Sequence, residues 1–127
     1  MAVTARGHYN RNNVAVTGNK TLTAADMGIV QNVTVDGVII TLPSTAAGLT
    51  FTITNGGKYD GAVGFSVSPA AADAIAGLGF TATINKDAVN TKATSKPGDE
   101  ITLIASGTAG VTAWSVLNAV GTIAREA

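Results

Sequence analysis

The chain has 127 residues, with eight lysines and arginines balanced by eight aspartates and glutamates, so its formal net charge is zero. A neutral chain of this length has room for one domain and has no overall field that would draw it to nucleic acid or to an anionic membrane. It contains no cysteine, which excludes disulfides and thiolate metal sites.

Charged residues are scarce for a soluble domain. They make up 13% of the chain, against 46% for apolar residues, and the mean hydropathy is +0.31. Either much of the exterior is covered by copies or partners, or it is coated with threonine, serine, alanine and glycine. We favour the first explanation, because solubility is generally favoured by a net charge away from zero.

Residues 1–19 are predicted to form an extended N-terminal arm, and residues 20–127 the folded domain. The arm carries basic side chains and no acid. One interpretation is a frayed terminus. The other is an arm that becomes ordered on a partner, with Arg6 and Arg11 pairing with carboxylates and Tyr9 supplying buried area. Val14 and Val16 could add to a sheet edge.

The central stretch, Val38 to Gly57, predicts two strands with alternating apolar and polar residues. The residues before it predict a short helical turn capped by Thr23. The dipeptide Asp36–Gly37 is typical of a hairpin, so we expect an antiparallel meander of the strands Ile29–Val35, Val38–Leu42 and Leu49–Thr54. The side chains expected to face the core are Val38, Ile40, Leu42, Leu49, Phe51 and Ile53, with Thr50, Thr52 and Thr54 on the opposite face.

Further short strands follow at the spacing of a sandwich or barrel. A helical turn is expected within Ala70–Gly77. The remaining predicted strands are Phe65–Ser68, Phe80–Ile84, Ala88–Ala93, Glu100–Ser106 and Val111–Leu117. Together these elements predict an all-β fold, a single antiparallel β-sandwich or barrel-like domain.

The sequence offers little for catalysis, and we expect no enzyme activity and no catalytic residue. The only histidine, His8, lies in the arm, away from every predicted strand. Asp99 and Glu100 are adjacent, and neighbours on a strand point to opposite faces, so they cannot flank a scissile bond.

Metal and nucleic-acid sites are also not indicated. Asn55, Asp60 and Asp73 could supply oxygens to calcium, but their spacing matches no EF-hand loop. The lysines between positions 86 and 96 lack interleaved aromatic residues. We therefore predict no cofactor, no metal and no nucleic-acid partner, and no segment is long and apolar enough to suggest a membrane span.

Several sequence blocks occur together in the order found in small β modules of tailed bacteriophages. They are LTAADMG, TLPSTAAGLTFTITNGG, FSVSPAAADAIAG, KPGDEITLIASG and AWSVLNAVGTI, between Leu22 and Ile123. The chain thus resembles capsid decoration (cement) proteins and related head-fibre or tail-fibre modules. The resemblance implies a homotrimer that sits on the outer surface of the capsid with the major capsid protein as its partner.

The expected role is therefore that of a structural virion protein, made in the host cytoplasm, that stabilises a phage capsid. From composition alone, the predicted capsid-binding residues are Arg6, His8, Tyr9 and Arg11. One alternative is a tail-fibre or receptor-binding module that displays the loop Gly57–Gly64 to a host surface glycan. Another is a polysaccharide-degrading enzyme of a spike, which the sparse acids and bases disfavour.

Overall fold

The computed structural model describes residues 12–77 and 79–127. Within them, short strands account for nearly all of the regular structure, which confirms the all-β prediction; none of these residues forms a helix suited in length and apolarity to crossing a membrane. The strands are β1 (Asn12–Val16), β2 (Lys20–Thr21), β3 (Ile29–Val33), β4 (Val38–Thr41), β5 (Thr50–Asn55), β6 (Phe65–Ser68), β7 (Ile75–Ala76), β8 (Ala88–Asn90), β9 (Glu100–Ala105), β10 (Trp114–Val120) and β11 (Ala124–Arg125).

The strands form two sheets, and the chain alternates between them from β1 to β9. The six-stranded sheet has the order β1-β3-β5-β9-β10-β7, and the five-stranded sheet has the order β11-β8-β6-β4-β2. Because every second strand returns to the same sheet, β1, β3 and β5 lie parallel to one another, as do β2, β4 and β6. The first half of the chain is thus wound as a two-sheet stack, which β8 to β11 extend with antiparallel pairs.

The predicted antiparallel meander is wrong, and so is a purely antiparallel sandwich, because both sheets are mixed. The turn at Asp36–Gly37 forms, with Gly37 at φ +83°, but it leads from the six-stranded sheet to the five-stranded one. Strand β3 pairs with β5, in parallel and with Gln31 opposite Ile53, rather than with β4. A turn between facing sheets preserves the same apolar alternation as a hairpin, so the sequence pattern fits both arrangements.

The predicted core faces are confirmed. Val38, Ile40 and Leu42 are buried in the same cluster as Phe51 and Ile53 of the opposite sheet, and the remaining member of the predicted set, the leucine at position 49, packs against them from a partly buried position. Trp114 is fully buried, and its ring centroid lies 5.8 Å from that of Phe51. Burial of this apolar surface is the main term that stabilises the sandwich.

Several short elements differ from prediction. The turn after Thr23 forms as a 3₁₀ turn over Ala24–Asp26, in which the Thr23 N–H donates to Asp26 Oδ2 at 2.9 Å. Within the expected helical turn Ala70–Gly77 the chain instead forms β7. No strand spans Phe80–Ile84, where Phe80 makes only a single bridge to Gly77.

Buried polar side chains form hydrogen bonds that connect neighbouring elements at both ends of the sandwich. At one end, Asn90 joins Asn55 to Asp99: it accepts from Asn55 Nδ2 at 2.7 Å and donates to Asp99 Oδ2 at 2.9 Å. At the other end, Asp73 accepts from the backbone N–H groups of Thr45 and Gly110. Such satisfied groups are costly to disturb, because each unpaired partner would remain buried.

Candidate interaction surface

The outward face of the six-stranded sheet is almost free of charge. Side chains alternate along each strand, so the register assigns one set to the core and the other to the exterior. We call the exterior set the threonine face; it comprises Asn13, Ala15, Val30, Asn32, Thr50, Thr52, Thr54, Ala76, Glu100, Thr102, Ile104, Ser115, Asn118 and Val120. Glu100 is its one charged member.

Hydrogen bonds within the threonine face satisfy many of its polar groups. The hydroxyl oxygens of Thr52 and Thr102 lie 3.0 Å apart on neighbouring strands. The Thr54 hydroxyl donates to Asn32 Oδ1 at 2.8 Å. A polar group that already has a partner costs less to remove from water than an unpaired one, so this face can be covered at a lower desolvation cost.

Two depressions mark the threonine face and share Val30 in their lining. The larger, about 510 Å³, is polar and brings together Asn13, Asn32, Thr54 and Glu100. The smaller, about 320 Å³, lies beside Met27 at the other end of β3. Val30 is almost fully buried even though its position in the register assigns it to the exterior. The face is therefore contoured, with recesses that can receive protruding side chains.

The outward face of the five-stranded sheet carries no charged strand residue among those that the structure describes. We call it the serine face, and its members by register are Thr21, Ile39, Thr41, Ser66, Ser68, Val89 and Ala124. Most of these side chains are small hydroxyl or aliphatic groups, and Ile39 is exposed. Charged side chains are therefore scarcest on the two broad surfaces of the sandwich.

The charged side chains lie mainly in loops and at the rims. Lys92 Nζ lies 3.2 Å from Asp36 Oδ2, and the N–H of Gly64 donates to the other oxygen of that carboxylate. The Gly64 hydrogen bond, together with Lys92, holds the pKa of Asp36 below its usual value. Burial raises the pKa of Asp87, a shift to which the nearby Glu126 carboxylate contributes.

The capsid-binding residues predicted from composition, Arg6, His8, Tyr9 and Arg11, lie outside the described residues. Strand β1 begins at Asn12, directly after them, and pairs in parallel with β3 at the edge of the six-stranded sheet. The expectation that Val14 and Val16 add to a sheet edge is confirmed, and Val16 also enters the core.

The loop Gly57–Gly64 is tethered along its length. Gly57 N–H donates to the side-chain oxygen of Asn55, and Gly61 N–H donates to the Ser95 carbonyl. At its tip, Tyr59 is 69% exposed. The loop therefore holds an aromatic side chain in solvent on a fixed backbone.

The oxygen ligands considered for calcium are not brought together. Asn55 is buried at one end of β5, whereas Asp73 is buried at the opposite end of the sandwich and Asp60 is exposed in a loop. Across residues 12–77 and 79–127, no group of three histidine, cysteine, aspartate or glutamate side chains could hold a metal ion. The buried Asn55 and Asp73 side chains instead form hydrogen bonds that stabilise the fold.

The adjacent carboxylates have separate environments. Asp99 is buried and accepts hydrogen bonds from Asn90 and from the N–H of Lys96. Glu100 lies on the threonine face, where Asn118 Nδ2 donates to it at 3.4 Å. Asp99 therefore belongs to the buried hydrogen-bond network with Asn55 and Asn90, whereas Glu100 belongs to the exterior surface.

The contact residues predicted from the sequence all lie in the arm, and the two sheet faces are not among them. The alternation of Thr50, Thr52 and Thr54 was visible in the sequence. What could not be seen was that β9 would place Thr102 beside them, since this depends on strand pairing.

Neither the models of known protein families nor the curated protein sequences contain a match to this chain.

Proposed function

We propose that this chain is a structural virion protein, a homotrimeric decoration (cement) protein that binds the major capsid protein on the outer surface of a tailed-phage capsid and stabilises it. One observation carries the proposal: the outward strand residues of the two sheets include a single charged side chain, Glu100. A sandwich with two such surfaces is suited to being covered on both.

The proposal assigns the two faces to different partners. The threonine face is the wider and carries the two depressions, so it fits an irregular shell surface. The serine face carries small side chains, which allow copies to approach closely. Apolar burial contributes roughly 25 cal/mol per Å², offset in large part by the entropy of association. A trimer that holds three shell sites at once gains effective concentration without additional contacts.

The faces can be tested separately by placing one lysine on each. Thr52→Lys lies on the threonine face, Ser66→Lys on the serine face, and Thr108→Lys, in an exposed loop, is the matched control. Light scattering should give three times the 12.6 kDa chain mass for the unmodified protein, for Thr52→Lys and for Thr108→Lys, but less for Ser66→Lys. Thr52→Lys should lose binding to expanded heads of the phage that encodes the chain.

The proposal fails if the purified protein is monomeric at micromolar concentration and leaves such heads undecorated. Release of DNA from particles on heating, with and without the protein, measures the cementing role directly. Earlier release without it is expected.

The arm is proposed to make an additional contact with the shell. This contact uses Arg6, His8, Tyr9 and Arg11. Removal of residues 1–11 keeps every residue of β1 in the chain, so the variant should still fold. It should decorate heads more weakly. Full occupancy by the truncated protein would refute a role for the arm.

A second candidate function, glycan recognition by a receptor-binding module, is favoured by the exposure of Tyr59. Sugar rings pack well on aromatic faces, and the tethered loop would lose little entropy on binding. Tyr59→Ala should abolish host-surface binding in that case, whereas Tyr59→Phe should retain it. Hundreds of copies per virion would indicate decoration, and tens or fewer would indicate a fibre.

A further inference from the structure

The two sheets have four edge strands, and they differ in length. Strands β1 and β7 border the six-stranded sheet, while β2 and β11 border the five-stranded sheet. Strand β1 has five residues, whereas each of the other three has two. An edge strand presents unpaired N–H and C=O groups, and proteins usually keep such edges short or place charges on them.

The three short edges are protected. The side chain of Lys20 on β2 lies 2.7 Å from Gln31 Oε1 and 3.5 Å from Asp26 Oδ1, so a charge is fixed at that edge. Strand β11 contains Arg125, and β7 is followed at once by Gly77 at φ +101°. Each feature limits the pairing of another strand there.

Strand β1 has none of these protections. Its sequence, NNVAV, contains neither charge nor proline, and its five residues pair with β3 in unbroken register. Val14 at its centre is 38% exposed. No strand within residues 12–77 and 79–127 pairs with its other side.

The hydrogen bonds of β1 identify which backbone groups face β3 and which point away from it. The carbonyl of Val16 accepts from the N–H of Thr34 at 3.1 Å, so the backbone of Val16 faces β3. Successive residues of a strand direct their backbone groups to opposite sides. The N–H and C=O groups of Asn13 and Ala15 therefore point to the open edge.

We propose that this edge binds an extended segment of the capsid shell protein, which adds a seventh strand to the six-stranded sheet next to β1. The inference rests on the proposed decoration function and names the contact that it uses. Strand addition of this kind gains main-chain hydrogen bonds and takes its specificity from alternate side chains. The added strand would extend the threonine face without a break.

The sheet edges of a second copy of this chain are poor candidates to pair with β1. In a threefold ring each contact joins two different patches, so β1 would have to meet another edge of the next copy. Those edges offer two residues against five. Two β1 strands could pair with each other only about a twofold axis, which a trimer does not have.

The chemistry of the edge defines the segment. The bound segment should have no charged side chain opposite β1, because such a side chain would be desolvated without a partner. Its residues beside Val14 are small or β-branched and apolar, and those beside Asn13 and Ala15 are small and polar or neutral.

The test removes one free N–H without disturbing the fold. Ala15→Pro deletes a donor that points away from β3, and proline is tolerated at such an edge position. Ala15→Thr keeps the donor at the same position and serves as the matched control. Val14→Lys, the second variant, adds the edge charge that β1 lacks. Thermal unfolding and light scattering establish that each variant folds and assembles.

On expanded heads, Ala15→Pro and Val14→Lys should need at least tenfold more protein for half occupancy, with Ala15→Thr and the trimer mass unchanged. Equal decoration by all variants would overturn the strand addition but leave the decoration function standing. Loss of self-association in Ala15→Pro would assign the edge to a second copy and would also overturn the inference. If the unmodified protein leaves heads bare, the decoration function itself fails, and the inference fails with it.

Discussion

Asn55 and Asn90 join the two sheets of the sandwich through a single buried hydrogen bond, 2.7 Å from Asn55 Nδ2 to Asn90 Oδ1. Asn55 ends β5 in one sheet, and Asn90 ends β8 in the other. The Asn90 amide then donates to Asp99 and to the carbonyl of Thr122. The chain of contacts therefore ties both sheets and two loops together at one end of the molecule.

Replacing Asn90 should be among the most destabilising changes at this end. Asn90→Ala would leave the Asn55 amide and the Asp99 carboxylate buried without this partner, at a cost of about 3 kcal/mol in the free energy of unfolding. Asn118→Ala, on the exposed face, is the matched control and should change it by less than about 0.5 kcal/mol. Urea unfolding measures both. Equal stability of the two variants would mean that the buried bonds contribute no net stability.

Gly121 makes room for the same network. It lies at φ +87°, and a Cβ added there would collide with the Asp99 carboxylate. Gly121→Ala should therefore cost about 3 kcal/mol, since the carboxylate cannot move without losing its buried partners. Gly28→Ala is the control: its φ is +78° with open space around it, so it should cost only the backbone strain of about 1 kcal/mol. If both variants melt alike, crowding at Asp99 is not important.

The half-buried Asp87 and the exposed Asp36 should respond to pH in opposite directions. The pKa of Asp87 is raised by burial, so the folded state binds its proton more tightly than the unfolded state. Its contribution to stability is then lost as pH rises from the unfolded value of 3.8 through the higher folded value. Asp87→Asn should remove this loss and raise the melting temperature at neutral pH.

The pKa of Asp36 is lowered, mainly by the hydrogen bond from Gly64. The pH dependence of its contribution to stability is therefore opposite to that of Asp87. Its contribution is present above pH 3.8 and is lost as pH falls through the lower folded value. Asp36→Asn should therefore lower the melting temperature at neutral pH and have little effect at pH 2. Melting curves of both variants across pH 2–8 give the comparison, and a shift of the same sign in both would contradict it.

The sequence was sufficient to predict which residues are buried and insufficient to predict which strands pair. Alternation assigned Val38, Ile40, Phe51 and Ile53 to the core because each strand has one apolar face, whatever its neighbour. Asp36–Gly37 indicated a chain reversal correctly. A reversal within one sheet and a crossing to the facing sheet use the same local residues, so only the packing of the whole domain decides between them.

The candidate surface shows the same limit. A row of threonines along one strand is a local property and can be read from the sequence. The nearly uncharged face that it joins requires β3, β5, β9 and β10 side by side, and these strands are separated by up to dozens of residues in the chain. The buried roles of Asp73 and Asn55 were missed for the same reason, because their partners come from distant loops.

Asp73 should control the order of the loops at the end opposite Asn90. Its carboxylate accepts from the N–H groups of Thr45 and Gly110, which belong to two separate loops. Asp73→Ala leaves both N–H groups without this acceptor, so we expect a loss of about 2–3 kcal/mol in the free energy of unfolding. Hydrogen exchange should accelerate at the amides of Thr45 and Gly110 before it does so in the strands. Asp60→Ala, in an exposed loop, is the control and should alter neither quantity; unchanged exchange at Thr45 and Gly110 in the Asp73 variant would show that other contacts hold these loops.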